Sequence, residues 1–217
     1  MDFAAARRNM VENQIRTNRV DDSGVTSALS LVPREVFLPK AMRGFAYVDE
    51  AIEAAPGRWM MAPLVLARLL QAAELKPSDV AMTIGDATGY ITAEVARMAS
   101  AVVSLEADPD LAPRAGAALV ELGVDNAAVV QGPLAKGFPA QGPYDVILFA
   151  GAVDDVPVAI CRQLADGGRL LAVVRDGRGL GKAMLMVRVG DSFGRRVLFE
   201  ATAPMLPGFT PKEHFAF

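Results

Sequence analysis

The sequence predicts an α/β fold in which helices cover both faces of a mostly parallel sheet. From residue 63 onward, short apolar runs alternate with helical patterns, and such continuous apolar runs are typical of strands that are buried on both faces. The chain has 217 residues, of which 52% are hydrophobic and 22% are charged. This length and composition suffice for one sizeable core, so we expect one compact unit.

The first 62 residues are predicted to be a helical and loop-rich addition packed on that core. Residues 3–18 carry apolar side chains at helical spacings and predict an amphipathic helix. Residues 25–32 predict a second short helix, which follows two aspartates and ends near Pro33. Residues 33–63 are rich in proline and glycine and lack periodicity. They predict an extended loop, the kind of segment that often carries function.

The remaining residues, 63–217, are predicted to form the α/β core. Its predicted elements are a helix at 64–75, a strand at 80–84, a helix at 91–99, a strand at 101–106, a helix at 110–123, strands at 126–131 and 144–150, a helix at 157–165 and a strand at 169–175. Residues 183–190 and 193–203 alternate in polarity around a glycine-containing turn. They predict an antiparallel hairpin that closes the sheet.

Charge and cysteine content exclude several classes of function. The net charge is -3, and no dense basic cluster is larger than a pair such as that at 195–196, so we expect no nucleic-acid partner. The single cysteine, Cys161, excludes an intramolecular disulfide and a metal site built on several thiolates, which suits a reducing compartment such as the cytoplasm. No export signal is visible, and no run reaches the roughly 18 apolar residues of a membrane span.

The stretch TIGDATGY at 83–90 predicts a ligand-binding turn. Gly85 and Gly89 lie between a predicted strand and a predicted helix, where glycine permits close approach of a ligand to the backbone. Glu106 ends the next strand, about 20 residues further along, the spacing at which a carboxylate can accept both ribose hydroxyls. Nucleoside binding is therefore predicted. The alternative is that the glycines only make a tight turn and Glu106 caps the following helix.

Three residues of this stretch weaken the prediction. Ala87 stands between the glycines, where its Cβ blocks a left-handed conformation. Asp86 adds negative charge where an anionic group of the ligand would lie, which disfavours a diphosphate. Thr83 occupies the strand position from which a carboxylate could have anchored an ammonium group.

Segments along almost the whole chain resemble the protein-L-isoaspartate (D-aspartate) O-methyltransferase family. The most specific are MVENQIRTNRVDD at 10–22 and VPREVFLP at 32–39, which generic methyltransferases lack. The resemblance implies a three-layer Rossmann-like methyltransferase fold with a seven-stranded sheet and an N-terminal helical addition. It also implies a protein or peptide substrate and S-adenosylmethionine as cofactor. The implied cofactor-binding residues are Gly85, Asp86, Ala87, Gly89, Glu106 and Gly132.

The chain departs from the family pattern at two further sites. The family loop before the first long helix reads roughly G-x-T-I-S-x-P, and its hydroxyls help to position the isoaspartyl carboxylate. Here the stretch at 57–63 is GRWMMAP, so Trp59 and Met61 occupy the positions of the expected hydroxyls. Pro133 replaces an aspartate after Gly132 and supplies no carboxylate. These departures predict weakened isoaspartyl repair.

Two functions remain open from the sequence. The retained Gly85 and Glu106 suggest S-adenosylmethionine-dependent methyl transfer to a carboxylate or to another acceptor. Met61, Ala87 and Pro133 suggest instead a catalytically inactive family member that acts as a binding or scaffold protein.

Side chains near the substituted loop allow two interpretations. Trp59, Met60 and Met61 either plug the peptide groove or line a new apolar pocket. Arg58 is either a ligand for a substrate carboxylate or, as is usual for a loop arginine, solvated.

Two single residues elsewhere in the chain have no predicted role in a site. His214 is predicted to lie at the surface and Cys161 to be buried and inert.

Overall fold

The computed structural model describes residues 1–175 and 181–209, so the predictions for His214 and the end of the chain lie outside it. Its helices are α1 (Phe3–Asn9), α2 (Ser23–Leu31), α3 (Pro63–Ala73), α4 (Tyr90–Ala96), α5 (Leu111–Glu121) and α6 (Val158–Cys161). Its strands are β1 (Ile52–Ala55), β2 (Arg58–Met60), β3 (Val80–Ile84), β4 (Ala101–Glu106), β5 (Ala127–Gln131), β6 (Tyr144–Val153), β7 (Leu164–Val174), β8 (Lys182–Val189) and β9 (Ser192–Glu200). Within the described ranges, no helix has the length and apolar character needed to cross a membrane.

The main sheet has seven strands in the order β5-β4-β3-β6-β7-β8-β9. Strands β3 to β7 pair in parallel, whereas β8 and β9 pair antiparallel. This arrangement confirms the predicted fold class, including the antiparallel hairpin at the C-terminal side. The chain runs outward from β3 to β5 and then returns to β6 on the other side of β3. Ligands of open α/β sheets bind at such a reversal, beside the carboxyl ends of the strands.

The N-terminal helices and one face of the sheet share an apolar cluster. Met10, Ile15 and Leu29 from the N-terminal region belong to the same cluster as Leu66 and Leu148. The first predicted helix is observed as α1, a π-helical turn and a 3-10 turn that together reach Asn18. A second cluster, which includes residues of β6 and α6, covers the other face.

The predicted helix at 157–165 is wrong in its extent, because only one helical turn, α6, forms there. The backbone amide of Tyr144, at the start of β6, donates to the Gln163 carbonyl at 2.8 Å. The side-chain amide of Gln163 also accepts from the Phe138 amide and donates to the Lys136 carbonyl. These contacts bind the segment after α6 to the start of β6 and to the loop before it, and β7 begins at Leu164 instead of a further helical turn.

The predicted loop at 33–63 contains a small hairpin that the sequence did not reveal. Strand β1 pairs antiparallel with β2 in a sheet of their own. Residues alternate between the two faces of a strand, so Arg58 and Met60 are buried whereas Trp59 is 39% exposed. With four and three residues, the strands are too short for a recognisable period of two.

Candidate active site at the carboxyl edge of the sheet

Three of the predicted site residues meet where adjacent strands end. The Gly85 amide, just after β3, donates to the Leu105 carbonyl of β4 at 2.8 Å. The Gly132 amide, just after β5, donates to the Glu106 carbonyl at 2.9 Å. Because the carboxyl ends of parallel strands lie at one edge of a sheet, Gly85, Glu106 and Gly132 are brought side by side.

The turn between β3 and α4 requires its two glycines. Gly85 has φ of 80° and Gly89 has φ of 86°, a region that other residues rarely adopt. A Cβ on Gly85 would lie 2.7 Å from Leu206 Cδ2, and one on Gly89 would lie 3.1 Å from the Ala115 carbonyl oxygen. Packing within the protein therefore accounts for both glycines, so the glycines alone are not evidence for a ligand.

The prediction that Asp86 directs negative charge towards the ligand is wrong. Its buried carboxylate accepts hydrogen bonds from the Gly89 amide at 3.0 Å and from the amide and the hydroxyl of Thr92, both at 2.8 Å. Burial raises the pKa of Asp86, while the bonds from Thr92 and Gly89 lower it. The carboxylate thus holds the start of α4 and the turn together, because it satisfies amides that no preceding helical turn can satisfy.

Ala87 and Thr83 are accommodated without strain. The backbone of Ala87 stays outside the left-handed region, so its Cβ adds no conformational cost. Thr83 is fully buried, and its hydroxyl lies 2.9 Å from that of Thr92. Thr92 in turn bonds to the Ser104 hydroxyl at 3.0 Å. A network of buried hydroxyls thus fills the place where a carboxylate at position 83 would anchor an ammonium group.

Glu106 is bound by Arg58, 48 residues earlier in the chain. Arg58 Nη1 lies 2.5 Å from Glu106 Oε1, and Nη2 lies 2.6 Å from Oε2. Nη2 also donates to the Gly85 carbonyl oxygen at 3.0 Å. Arg58 is only 8% exposed, so the alternative of a solvated loop arginine is wrong. The pleat of β2 turns this side chain inward.

The alternative that Glu106 caps the following helix is also wrong. The capping bonds come from Asp108, whose carboxylate accepts from the amides of Asp110 and Leu111 at 2.8 and 3.1 Å. These two bonds lower the pKa of Asp108. Glu106 Oε1 instead accepts from the amides of Ala107 and Asp108, which fix the carboxylate at the end of β4.

In this conformation the site does not fit the ribose of S-adenosylmethionine. A ribose diol must donate its hydroxyls to the Glu106 carboxylate. Both oxygens already accept from Arg58, and Oε1 accepts two amides as well. The Gly85 turn and the Glu106 carboxylate have the expected relative placement, but the Arg58 guanidinium is bound to both oxygens that the diol would use.

The residues at the expected hydroxyl positions point in different directions. Met61 is buried in the apolar cluster, and its carbonyl accepts from Arg34 Nη2 at 2.6 Å. Trp59 faces outward and lines a surface hollow of about 310 Å³ together with Met42, Phe45 and Val48. Met61 therefore belongs to the core, whereas Trp59 belongs to an apolar surface.

Sequence reasoning missed a buried polar cluster behind the site. Arg34 is fully buried, and its guanidinium lies 4.8 Å from the centre of the Tyr90 ring. Among the described residues, neither carboxylate oxygen of Glu94 has a hydrogen-bond partner. Burial raises the pKa of Glu94 to about 8, although Tyr90 and Arg34 lower it in part. No sequence signal distinguishes Glu94 from an exposed helical glutamate.

The described part of the chain has no metal-binding constellation and one buried thiol. Within residues 1–175 and 181–209, no group of three or more histidine, cysteine, aspartate and glutamate side chains is placed to hold a metal ion. Cys161 is buried, as expected, and burial raises the pKa of its thiol. The candidate site therefore consists of the Gly85 turn, the Glu106 carboxylate and the hairpin that carries Arg58.

Comparison with known proteins identifies the family. The model of the protein-L-isoaspartate(D-aspartate) O-methyltransferase family matches residues 5–197. The chain is 36% identical to a protein-L-isoaspartate O-methyltransferase of Koribacter versatilis, over 79% of this chain and 78% of that one. It is 34% identical to that of Roseiflexus castenholzii over 99% of each chain. A Plasmodium falciparum protein-L-isoaspartate O-methyltransferase crystallised with S-adenosyl-L-homocysteine has the same fold, with a TM-score of 0.78 at 18% identity over 95% of this chain and 98% of that one. The chain therefore belongs to the protein-L-isoaspartate(D-aspartate) O-methyltransferase family.

Proposed function

We propose that this protein is an S-adenosylmethionine-dependent O-methyltransferase that acts on isoaspartyl carboxylates of proteins and peptides. The observation that carries the proposal is the meeting of Glu106 and the Gly85 turn at one sheet edge, in a chain whose family match spans residues 5–197. The sheet order supports it, since this edge lies beside the reversal point of the strands.

The cofactor site is proposed to use both backbone and side chains. We assign it the six residues predicted from the sequence, namely Gly85, Asp86, Ala87, Gly89, Glu106 and Gly132. Glu106 would accept the ribose hydroxyls, and Asp86 would act indirectly, by holding the turn through its bonds to Gly89 and Thr92. When bound, S-adenosylmethionine supplies a methyl group on a sulfonium centre.

Orientation of the acceptor carboxylate is the weak part of the proposed site. Neither Trp59 nor Met61 offers a hydroxyl, and the Met61 side chain faces the core. Methyl transfer depends mainly on holding the acceptor oxygen in line with the methyl group, and a misplacement of about 1 Å can cost about 10²-fold in rate. We therefore expect turnover to be slower, by roughly this factor, than in relatives that keep the hydroxyls.

The cellular setting follows from the same proposal. A protein or peptide is the expected partner, and the single cysteine is compatible with a reducing cytoplasm.

We also propose that the chain consists of an addition at 1–62 and a core at 63–217. The apolar cluster shared by the N-terminal helices and the sheet favours one functional unit.

The test uses an isoaspartyl peptide and S-adenosylmethionine labelled in its methyl group. We expect base-labile label to accumulate in the isoaspartyl peptide and not in the same peptide with a normal aspartate. E106Q should reduce the signal at low cofactor concentration, whereas D125N, a change at an exposed position, should not. Absence of label from both peptides, under conditions where the Roseiflexus castenholzii relative converts the isoaspartyl peptide, would refute the proposal.

A further inference from the structure

Arg58 uses the hydrogen-bonding capacity that a ribose would need. Two bonds of 2.5 and 2.6 Å join its guanidinium to the two oxygens of Glu106. The amides of Ala107 and Asp108 donate to Oε1 at 2.8 and 2.9 Å. Bidentate pairing of this kind is stronger than a neutral hydrogen bond. Oε1 thus accepts three bonds and Oε2 one, so a ribose diol that donates to both oxygens must replace Arg58.

The guanidinium also bridges the two strand ends between which the ligand would enter. In addition to Glu106, it binds the Gly85 carbonyl oxygen at 3.0 Å. Leu206 and Leu134 lie against Gly85 on the same turn. The space beside Gly85 is consequently filled by groups of this chain.

The element that carries Arg58 shares no hydrogen-bonded ladder with the main sheet. Strands β1 and β2 form a two-stranded sheet of their own, with four and three residues. An isolated two-stranded hairpin is only marginally stable, so it can shift without breaking a ladder of the seven-stranded sheet. Its attachment near the site includes the Arg58–Glu106 ion pair.

We propose that Arg58 competes with the ribose of the cofactor for Glu106, so that cofactor binding requires the β1–β2 hairpin to move. This inference rests on the proposed function, since it takes S-adenosylmethionine to be the ligand. Competition lowers the apparent affinity by the fraction of molecules in which Glu106 is free. Strand β2 also carries Trp59, so the same movement shifts the one tryptophan of the chain.

The test measures affinity for S-adenosylhomocysteine by calorimetry in the wild type and in R58Q. The substitution removes the charge and the bidentate contact, while the amides of Ala107 and Asp108 still bind Glu106. We expect R58Q to bind at least about tenfold more tightly, as if the competing state had been nine-tenths populated. R196Q, at an exposed position of β9, is the matched control and should bind like the wild type.

Trp59 fluorescence gives a second readout that does not depend on turnover. In the wild type the emission should change as S-adenosylhomocysteine saturates the site, because the hairpin leaves the position in which Arg58 binds Glu106. In R58Q the emission before ligand addition should already resemble that of the liganded wild type. If R58Q proves unstable, R58K takes its place: a lysine keeps the charge but cannot form the bidentate pair, and it should bind more tightly than the wild type.

The outcomes separate this inference from the proposed function. Equal affinity in the wild type and both Arg58 variants, with no change in Trp59 emission, would overturn the competition and leave the cofactor assignment intact. Absence of binding by the wild type and both variants at millimolar ligand would overturn the proposed function and the competition together. Tighter binding by the variants than by the wild type and R196Q would support the inference.

Discussion

At the scale of single residues, two buried arginines of the N-terminal addition are held by acceptors that are distant in the sequence. Arg34 donates to the carbonyls of Ala46 and Met61, and Arg58 binds Glu106 and the Gly85 carbonyl. A buried charge is costly unless it is paired and hydrogen-bonded. Each arginine therefore stabilises only the arrangement that supplies all of its acceptors.

Glu94 makes stability depend on pH. Burial raises its pKa from the ordinary value of 4.5 to about 8 in the folded state. Between these two values the folded protein keeps a proton that the unfolded chain releases. The free energy of unfolding therefore falls as pH rises through this window and levels off above about pH 8. E94Q, which stays neutral, should remove this contribution.

Thermal melts from pH 5 to pH 9 test this prediction. The melting temperature of E94Q should stay close to that of the wild type near pH 5 and exceed it by roughly 10 °C at pH 8.5. A rise in the pKa from 4.5 to about 8 corresponds to about 4–5 kcal/mol, and each kcal/mol shifts the melting temperature of a chain of this size by about 2–4 °C. E121Q, at an exposed position of α5, is the control and should follow the wild-type curve. Parallel curves for E94Q and the wild type would show that Glu94 is charged in the folded protein at neutral pH.

The candidate site was only partly predictable at this scale. Gly85 and Glu106 were predicted because both are set by local order, a strand end and a spacing of about 20 residues. For Arg58 the sequence left two alternatives open, a substrate carboxylate and solvent, because its partner is 48 residues away and only the pleat of a three-residue strand decides which way it points. Local patterns contain no information about such a pairing.

At the scale of elements, the β3–α4 turn is held by a segment from the far end of the chain. The Leu206 amide donates to the Ala152 carbonyl at 2.8 Å, and the Ala152 amide donates to the Pro204 carbonyl at 2.8 Å. These bonds form a short parallel bridge between β6 and the segment at 204–206, and Leu206 lies directly against Gly85. The shape of the candidate site thus depends on contacts between elements that are distant in sequence.

Substitution of Gly85 by alanine tests this packing, with Gly167 as a matched control. Both glycines have positive φ, 80° and 76°, so alanine costs about 1–2 kcal/mol at either position. Only Gly85 also faces a close neighbour, since no heavy atom lies within 4 Å of the Cβ position at Gly167. Overpacking adds about 1–3 kcal/mol. G85A should therefore melt at least roughly 2–4 °C below G167A.

Differential scanning calorimetry of the two variants tests this prediction. Equal melting temperatures for G85A and G167A would mean that Leu206 moves aside without cost. In that case the segment after β9 would not define the site, and a ligand could displace Leu206 easily.

Elements were predicted well where a regular pattern of apolar residues marks them, and poorly where tertiary contacts decide where an element begins or ends. The boundaries of β3 and β4 agree with the predicted strands, since buried parallel strands have continuous apolar runs. The helix predicted at 157–165 shrank to one turn, because Gln163 bonds to Lys136 and Phe138. These partners precede Gln163 by about 25 residues, beyond the reach of helical periodicity.

At the scale of the whole molecule, the fold follows from the alternation of strands and helices along the chain. The packing of the N-terminal addition on the core does not follow from that pattern. The strand and helix pattern predicted a mostly parallel sheet with an antiparallel end, and the sheet order confirms it. The N-terminal addition was predicted as a flank. Ile15 and Leu29 are fully buried in the cluster that also contains Leu66 of α3. We therefore expect the addition and the core to unfold together.

Denaturant unfolding followed by two probes tests whether the chain is one cooperative unit. Trp59 fluorescence reports on the N-terminal addition, and far-ultraviolet circular dichroism reports mainly on the helices and strands of the core. The two transitions should share one midpoint. I15A, which removes a fully buried side chain of the addition, should cost about 2–5 kcal/mol and shift both midpoints equally, whereas R8A at an exposed position should shift neither. An earlier midpoint for Trp59, widened by I15A, would show that the addition unfolds independently, because the buried contacts between Ile15, Leu29 and the core would then be too weak to couple the two parts.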